Sequence, residues 1–319
     1  MLLSLIAIAA GFALLIWGAD RFVDGAAALA RNLGVPPLVI GLTIVGMGTS
    51  APELLVSGLA AAQGNPGLGI GNAIGSNITN IGLVLGVTAL IAPLSVHSRL
   101  LQRELPLLLV AMLFGYVLLA DGQLQRLEGL ALLSGLFLVL IWMVYSGRRA
   151  GRAEAFAGEF ELPQAMSTAR ATLLFLLGLI VLLAGSKALV WGAVDIAERL
   201  GVSDLVIGLT IVAIGTSLPE LAASIISARR GEPDIALGNV VGSNLFNVLG
   251  VLGLPGLLAP GPVPGEVLSR DYPVMLALTV LLFAFAFSLR NGERHINRLE
   301  GGLLLAAFIG YEIWIYLSP

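Results

Sequence analysis

The chain contains no cysteine, two histidines and few charges, and each shortage removes a class of function. Without cysteine there can be no disulfides, no thiolate metal site and no iron–sulfur cluster, although the compartment stays open. His97 and His295 stand in separate loops and offer no zinc cluster. Charged residues are 12% of the 319, about half the level usual in soluble domains. The net charge of −3 is too small to argue for nucleic acid or any other charged partner. No G-x-x-x-x-G-K-[ST] loop is present, and no soluble segment is large enough to couple nucleotide hydrolysis to work. GNAIGSN at 71–77 lacks the βαβ surroundings that dinucleotide binding requires. An enzyme is not indicated, and no cofactor is called for.

What remains is apolar. Hydrophobic residues make up 57% of the chain, mean hydropathy is +0.96, and apolar runs longer than about 18 residues recur from end to end. Forty glycines and fifteen prolines suit membrane helices, where glycine permits close packing and neighbours absorb the proline breaks. Alternating ten-residue segments of the β-barrel kind do not dominate. The expectation is an all-α polytopic membrane protein. Its ten transmembrane helices fall at 3–28, 38–62, 69–92, 104–120, 125–146, 170–197, 205–228, 236–258, 272–289 and 299–317. The first segment resembles a signal peptide but lacks a basic leader and runs on into Asp20-Arg21, so it reads as the first span.

Arginine sets the orientation. Twelve arginines (31, 99, 103, 148, 149, 152, 170, 229, 230, 290, 294 and 298) lie in loops that follow odd-numbered spans, against Arg126, Arg199 and Arg270 on the other side. The positive-inside rule places the twelve in the cytoplasm and both termini outside, and the expected location is the cell (inner) membrane.

Two blocks of sequence recur at an offset of 167. GLTIVGMGTSAPEL (41–54) returns as GLTIVAIGTSLPEL (208–221), with 11 of 14 positions identical. GNAIGSNITN (71–80) returns as GNVVGSNLFN (238–247), with 6 of 10 identical. The offset crosses five spans, an odd number, so the second copy enters the membrane from the opposite side. The expected architecture is two inverted five-helix repeats, 1–146 and 170–319, joined by a cytoplasmic linker at 147–169.

Each copy carries a glutamate inside a span, Glu53 and Glu220, where a carboxylate costs several kcal/mol unless it is matched. Pro52 and Pro219 disturb the preceding turn and turn carbonyls toward a cavity. Thr49 and Thr216 precede the glutamates by four residues, with Ser50 and Ser217 beside them. The second blocks add Asn72, Ser76 and Asn80, and Asn239, Ser243 and Asn247. Hydroxyl, amide, carbonyl and carboxylate oxygens suit Na⁺ or Ca²⁺ and not soft metals. Ser76 and Ser243 could equally bond back to their own helices, and Asn72 and Asn239 could tie helices together. Two ionised glutamates balance one Ca²⁺, whereas three Na⁺ leave a surplus of one charge, so an exchange of that ratio responds to voltage. Protons compete for the same oxygens. Asp20 and Lys187 occupy matching positions with opposite charge, beside Arg21 and Asp24, and are expected to be interfacial or interhelical ions.

At these blocks the chain resembles the cation/calcium exchanger superfamily, especially its prokaryotic sodium/calcium exchangers. GTSAPE with GNAIGSNITN looks like the first α-repeat, and GTSLPE with GNVVGSNLFN like the second; the likeness covers essentially the whole chain. It implies inverted five-helix repeats whose long first and sixth helices slide against a core made of the others. It also implies that Glu53 and Glu220 are central Ca²⁺ ligands shared with Na⁺, and that Thr49 and Thr216 lend backbone carbonyls to Ca²⁺. Ser50, Ser217, Ser76 and Ser243 match ligands of flanking Na⁺ sites; Gly46 and Ala213 match carbonyl donors; Asn80 and Asn247 match the polar pair near the middle site. Some archaeal and potassium-dependent members carry Asp where this chain has Asn247, which argues against K⁺ co-transport and against borrowing their stoichiometry. Proton/calcium exchangers typically place an acid in these helices, so the two asparagines favour sodium.

The leading expectation is a sodium/calcium antiporter in a lipid bilayer, with Ca²⁺ and Na⁺ as transported ions and no protein partner required. A proton-driven divalent cation exchanger, a passive cation channel and a non-transporting scaffold are the alternatives.

Overall fold

Glycine spacing explains the longest contact in the protein. The computed structural model describes residues 1–96, 101–156, 166–200, 213–287, 289–290 and 293–317. Helix α1 (Leu2–Leu33) lies antiparallel against α7 (Thr168–Arg199), and both carry glycine every seventh residue: Gly11, Gly18 and Gly25, and Gly178, Gly185 and Gly192. A Cβ on Gly18 would stand 2.6 Å from Leu182 N, and one on Gly185 would stand 2.7 Å from Leu15 N. The backbones therefore touch, as small residues permit in membranes. Phe22 and Phe175 fill the seam with ring centroids 4.7 Å apart. Outward faces of both helices carry exposed residues such as Ile6, Phe12, Leu173 and Ile180, as a lipid-facing surface should.

The rest of the helical order is α2 (Pro37–Thr49), α3 (Ala51–Ala62), α4 (Pro66–Ile91), α5 (Leu101–Leu119), α6 (Arg126–Phe156), then α7, α8 (Ala213–Thr216), α9 (Leu218–Arg229), α10 (Pro233–Leu258), α11 (Val267–Ala286) and α12 (Arg298–Leu317). Among the described residues seven helices are long and apolar enough to cross a membrane, or eight if α2 and α3 form one bent span. The protein is an all-α polytopic membrane protein. Helix α6 runs on to Phe156, so the stretch expected to open the linker is helical at its start. Residues 157–165 of the expected linker, and 201–212, which hold the start of the second repeated block, lie outside the described residues.

Pairs of contacts repeat at the sequence offset. Helix α12 packs on α4 where Gly86 meets Gly301, and α6 packs on α10 where Gly253 meets Gly129 and Leu133. Short ladders join β1 (Leu94–Ser95) to β5 (Glu293–Ile296) and β2 (Gln123–Leu124) to β3 (Gly261–Pro262), while β4 (Leu289–Arg290) also pairs with β5. Gly64 and Gly231, 167 apart, both take positive φ (82° and 75°) to turn the chain into α4 and α10. Helices α4 and α10 form the centre: α10's spanning stretch is wholly buried, and that of α4 is mostly so.

Candidate functional site

The site is built where helices break. Helix α2 ends at Thr49, Ser50 leaves helical geometry (φ −83°, ψ 6°), and α3 begins at Ala51 with Pro52 in its first turn. Proline fits there because a first-turn N–H has no partner inside the helix. The two segments meet at 44°. Ser217 takes the same geometry (φ −89°, ψ 3°) between α8 and α9, with Pro219 in the matching place. Glu53 and Glu220 thus sit in the first turns of α3 and α9, where the exposed N–H groups of a helix start favour negative charge. A wide, π-type turn spans Asn80–Leu85 in α4, and its mate spans Asn247–Val251 in α10. Such turns often mark functional positions in helices.

Both glutamates are buried, at 1% and 0% exposure. Asparagine fixes each of them from the backbone side. Asn72 Nδ2 donates to Glu53 O (3.2 Å) and Ser57 Oγ (3.0 Å). Asn239 Nδ2 donates to Glu220 O (3.2 Å) and Ser224 Oγ (2.9 Å). Of the two roles open to Asn72 and Asn239, this is the tying one. Ser57 and Ser224 are positioning residues that sequence reasoning missed, although they too recur at the offset of 167.

Contacts between the repeats assemble the site. Ser50 Oγ donates to Glu220 Oε1 at 3.2 Å. Thr49 Oγ1 lies 3.0 Å from Asn239 Oδ1 and 3.3 Å from Ser243 Oγ, and also reaches Val45 O and Gly46 O. Ser243 Oγ faces Gly46 O (3.4 Å) and Glu220 Oε1 (3.5 Å), so it turns toward the site and not back along its own helix. Asn80 Nδ2 donates to Asn244 Oδ1 at 3.2 Å, which brings α4 and α10 together. Asn244 and its mate Asn77 are fully buried inside the repeated blocks; their place in the pattern was visible, their burial was not.

Several buried atoms have no hydrogen-bond partner among the described residues: both carboxylate oxygens of Glu53, Glu220 Oε2, Ser217 Oγ, Asn80 Oδ1, and both amide atoms of Asn247. An orphaned buried oxygen costs about 1–3 kcal/mol, and a carboxylate more. These oxygens come from packed elements: α9 lies on the turn at Asn80–Leu85, and α3 on the turn at Asn247–Val251. Ser76 is buried in α4 next to Asn77; Thr216 ends α8 and Ala213 begins it. No cluster of three His, Cys, Asp or Glu occurs among the described residues, so a cation here would be held by hydroxyl, amide and carbonyl oxygens around two carboxylates.

Asp20 is an interhelical ion, as its position suggested: it pairs with Arg230 in the turn between α9 and α10, and Asp24 pairs with the same guanidinium. Arg21 lies 3.9 Å from Asp24, and Arg31 lies 3.4 Å from Glu232. Burial raises the Glu232 carboxyl above the usual range, and the Arg31 guanidinium offsets part of that rise.

A pseudo-symmetric bundle of membrane helices, with paired buried carboxylates at paired helix breaks, defines a gradient-driven cation carrier and not an enzyme. The chain belongs to the sodium/calcium exchanger protein family, whose model matches residues 3–145 and 170–317. It is 52% identical to CaxA of Alkalimonas amylolytica over 100% of both chains. It is 32% identical to the sodium/calcium exchanger MaX1 of Methanosarcina acetivorans, covering 96% of each. Its structure is similar to that of the sodium-calcium exchanger NCX_Mj soaked with Na⁺ and Ca²⁺, with a TM-score of 0.85 and 36% identity over 100% of this chain and 99% of that one.

Proposed function

We propose that the protein exchanges Na⁺ for Ca²⁺ across the cell membrane by alternating access around one midplane cation cluster. The observation that carries this reading is the pair of buried glutamates, three of whose four carboxylate oxygens have no hydrogen-bond partner among the described residues, beside hydroxyls and an amide that the two repeats bring together. Two carboxylates match one Ca²⁺, and hydroxyl and carbonyl oxygens on either flank suit Na⁺. The ligands are Glu53 and Glu220 at the centre, carbonyls of Gly46, Thr49, Ala213 and Thr216, hydroxyls of Ser50, Ser76, Ser217 and Ser243, and amides of Asn80 and Asn247. The cations are the transported substrates.

The architecture behind this function is ten spans in two inverted halves, 1–146 and 170–319, with both termini outside. The antiparallel α1–α7 contact supports the inversion, because those helices are the repeat mates that an odd offset should oppose. Cysteines placed at Gly147 and Asp121 should be labelled from opposite faces; labelling from one face would refute the inversion.

Proteoliposomes loaded with Na⁺ should take up ⁴⁵Ca²⁺ when diluted into Na⁺-free buffer. Uptake driven by a pH gradient and not by Na⁺ would establish the proton-driven alternative, and uptake without any counter-ion would establish a channel. The neutral Asn80 and Asn247, where an acid would handle protons, favour sodium.

A further inference from the structure

Asp20 and Lys187 are repeat mates of opposite charge, and the structure treats them differently. Asp20 is neutralised by Arg230. Lys187 has no ion-pair partner among the described residues, although it lies well inside α7, 12 residues before its end at Arg199. At about 1.5 Å per residue that is roughly 18 Å from the helix end. An ammonium at such depth marks a cavity or a path by default.

There is such a cavity. Lys187 lines a space of about 480 Å³ together with Ser186, Trp191, Ala51, Pro52 and Thr216. Ala51 and Pro52 connect Ser50 to Glu53, and Thr216 precedes Ser217. The cavity therefore abuts the cation ligands on one flank, and no carboxylate is among its lining residues. Lys187 itself is exposed where this space opens, and the other walls are mainly apolar side chains, which focus the field of a charge toward the ligands. With both termini outside, Lys187 falls in the outer half of the membrane and Asp20 in the inner half.

We infer that the Lys187 ammonium is a specificity-determining charge that weakens cation binding from the outer face, and weakens it more for Ca²⁺ than for Na⁺. A fixed charge acts on an ion in proportion to that ion's own charge. The penalty on Ca²⁺ is therefore twice that on one Na⁺ in free energy, and its square as a ratio of affinities. The inner face, where Asp20 and Asp24 are balanced by Arg21 and Arg230, carries no matching penalty. The protein would thus hold Ca²⁺ less tightly when open outward than when open inward.

This inference rests on the site and orientation proposed above, and the test separates the two. In proteoliposomes of known sidedness, Lys187→Gln and Lys187→Met should lower the outer apparent Kd for Ca²⁺ about tenfold and that for each Na⁺ about threefold. Inner values should stay unchanged. Lys187→Arg should behave as the parent, and Lys187→Glu should move Ca²⁺ roughly as far again. Unchanged outer affinities, equal factors for the two ions, or equal changes on both faces would overturn the inference. Glu220→Gln measured alongside tests the site itself: if it retains Ca²⁺ binding the site reading fails, whereas its loss with a silent Lys187→Gln refutes Lys187 alone.

Discussion

Glu53 and Glu220 occupy the same place in two copies of one motif, yet their surroundings differ. Glu220 Oε1 faces the hydroxyls of Ser50 and Ser243, whereas neither oxygen of Glu53 has a hydrogen-bond partner among the described residues. On the Glu220 side a chain of contacts runs from Asn239 through Thr49 and Ser243 to the carboxylate. On the Glu53 side the mate of Ser50, Ser217, has a buried hydroxyl without a partner. Backbone restraints are the same in both copies, down to the asparagine that grips each glutamate's carbonyl. The duplication thus fixes where the two carboxylates stand, and the side-chain network makes them unequal. For a carrier this means that its two half-sites are not interchangeable, even though their motifs nearly are.

The largest test of that inequality removes each carboxylate in turn. Glu53→Gln and Glu220→Gln should each weaken Ca²⁺ binding by more than about 100-fold by calorimetry, because each deletes a full ligand charge in a dry site. The two variants should diverge when cations are withdrawn. Glu53→Gln removes a buried carboxylate with no partner and should raise cation-free stability by about 1–3 kcal/mol. Glu220→Gln also loses the charge that Ser50 and Ser243 face, so its gain should be smaller. Equal melting shifts in cation-free detergent would erase the distinction between the half-sites. The parent protein itself should melt higher with Ca²⁺ present, since a ligand bound only by the folded state stabilises it.

A second test uses a place where the copies are alike. Gly18 and Gly185 are repeat mates, and each approaches the backbone at the mate of the other's contact, Leu182 and Leu15. Valine at either position forces two backbones apart, and overpacking of this kind costs about 1–3 kcal/mol or more. Gly18→Val and Gly185→Val should therefore lose similar stability in thermal unfolding. A large difference between them would show that the seam is less symmetric than its geometry, and would weaken the use of the glutamates as a contrast.

How far the sequence discloses these features depends on their range. The breaks at Ser50 and Ser217 follow from Pro52 and Pro219, which disturb the turn before them by a local rule, and they lie where that rule puts them. The oxygen-rich blocks were equally plain, because polar residues stand out against apolar helix. Helix α6 runs past its expected span because a mixed-charge run rich in Ala and Glu suits a helix continuing past the membrane as well as a surface linker. The glycine heptads of α1 and α7 were present in the chain but lack meaning until a partner is known. The contact of Ser50 with Glu220 spans 170 residues and has no local signature at all. Ser57 and Ser224 fall between these limits: their recurrence was readable, but only the structure shows them holding Asn72 and Asn239.

The smallest expected effect concerns a difference at the rim. Arg230 holds Asp20 and Asp24 of α1 to the turn between α9 and α10, and Arg31 reaches Glu232 beside it. At the mates of Arg230 and Glu232 stand Gln63 and Asn65, so the opposite rim cannot form the same ion pairs. These groups are a third or so exposed, which limits each pair to about 0–1 kcal/mol. Arg230→Gln should accordingly leave cation affinity almost unchanged and loosen α1 from that rim. Accessibility of a cysteine at Ala27, buried under that rim, should rise by no more than about thirtyfold, the limit for two such pairs lost together. Added salt should raise it more in the parent protein than in the variant, which keeps Arg31–Glu232 but lacks the two Arg230 pairs. With Lys187 and Trp191 in place of the two aspartates, Gln63→Arg cannot make the pairs that Arg230 makes, and should leave accessibility at its own rim as it was. If it tightened that rim as well, the inequality of the two faces would not lie in these charges.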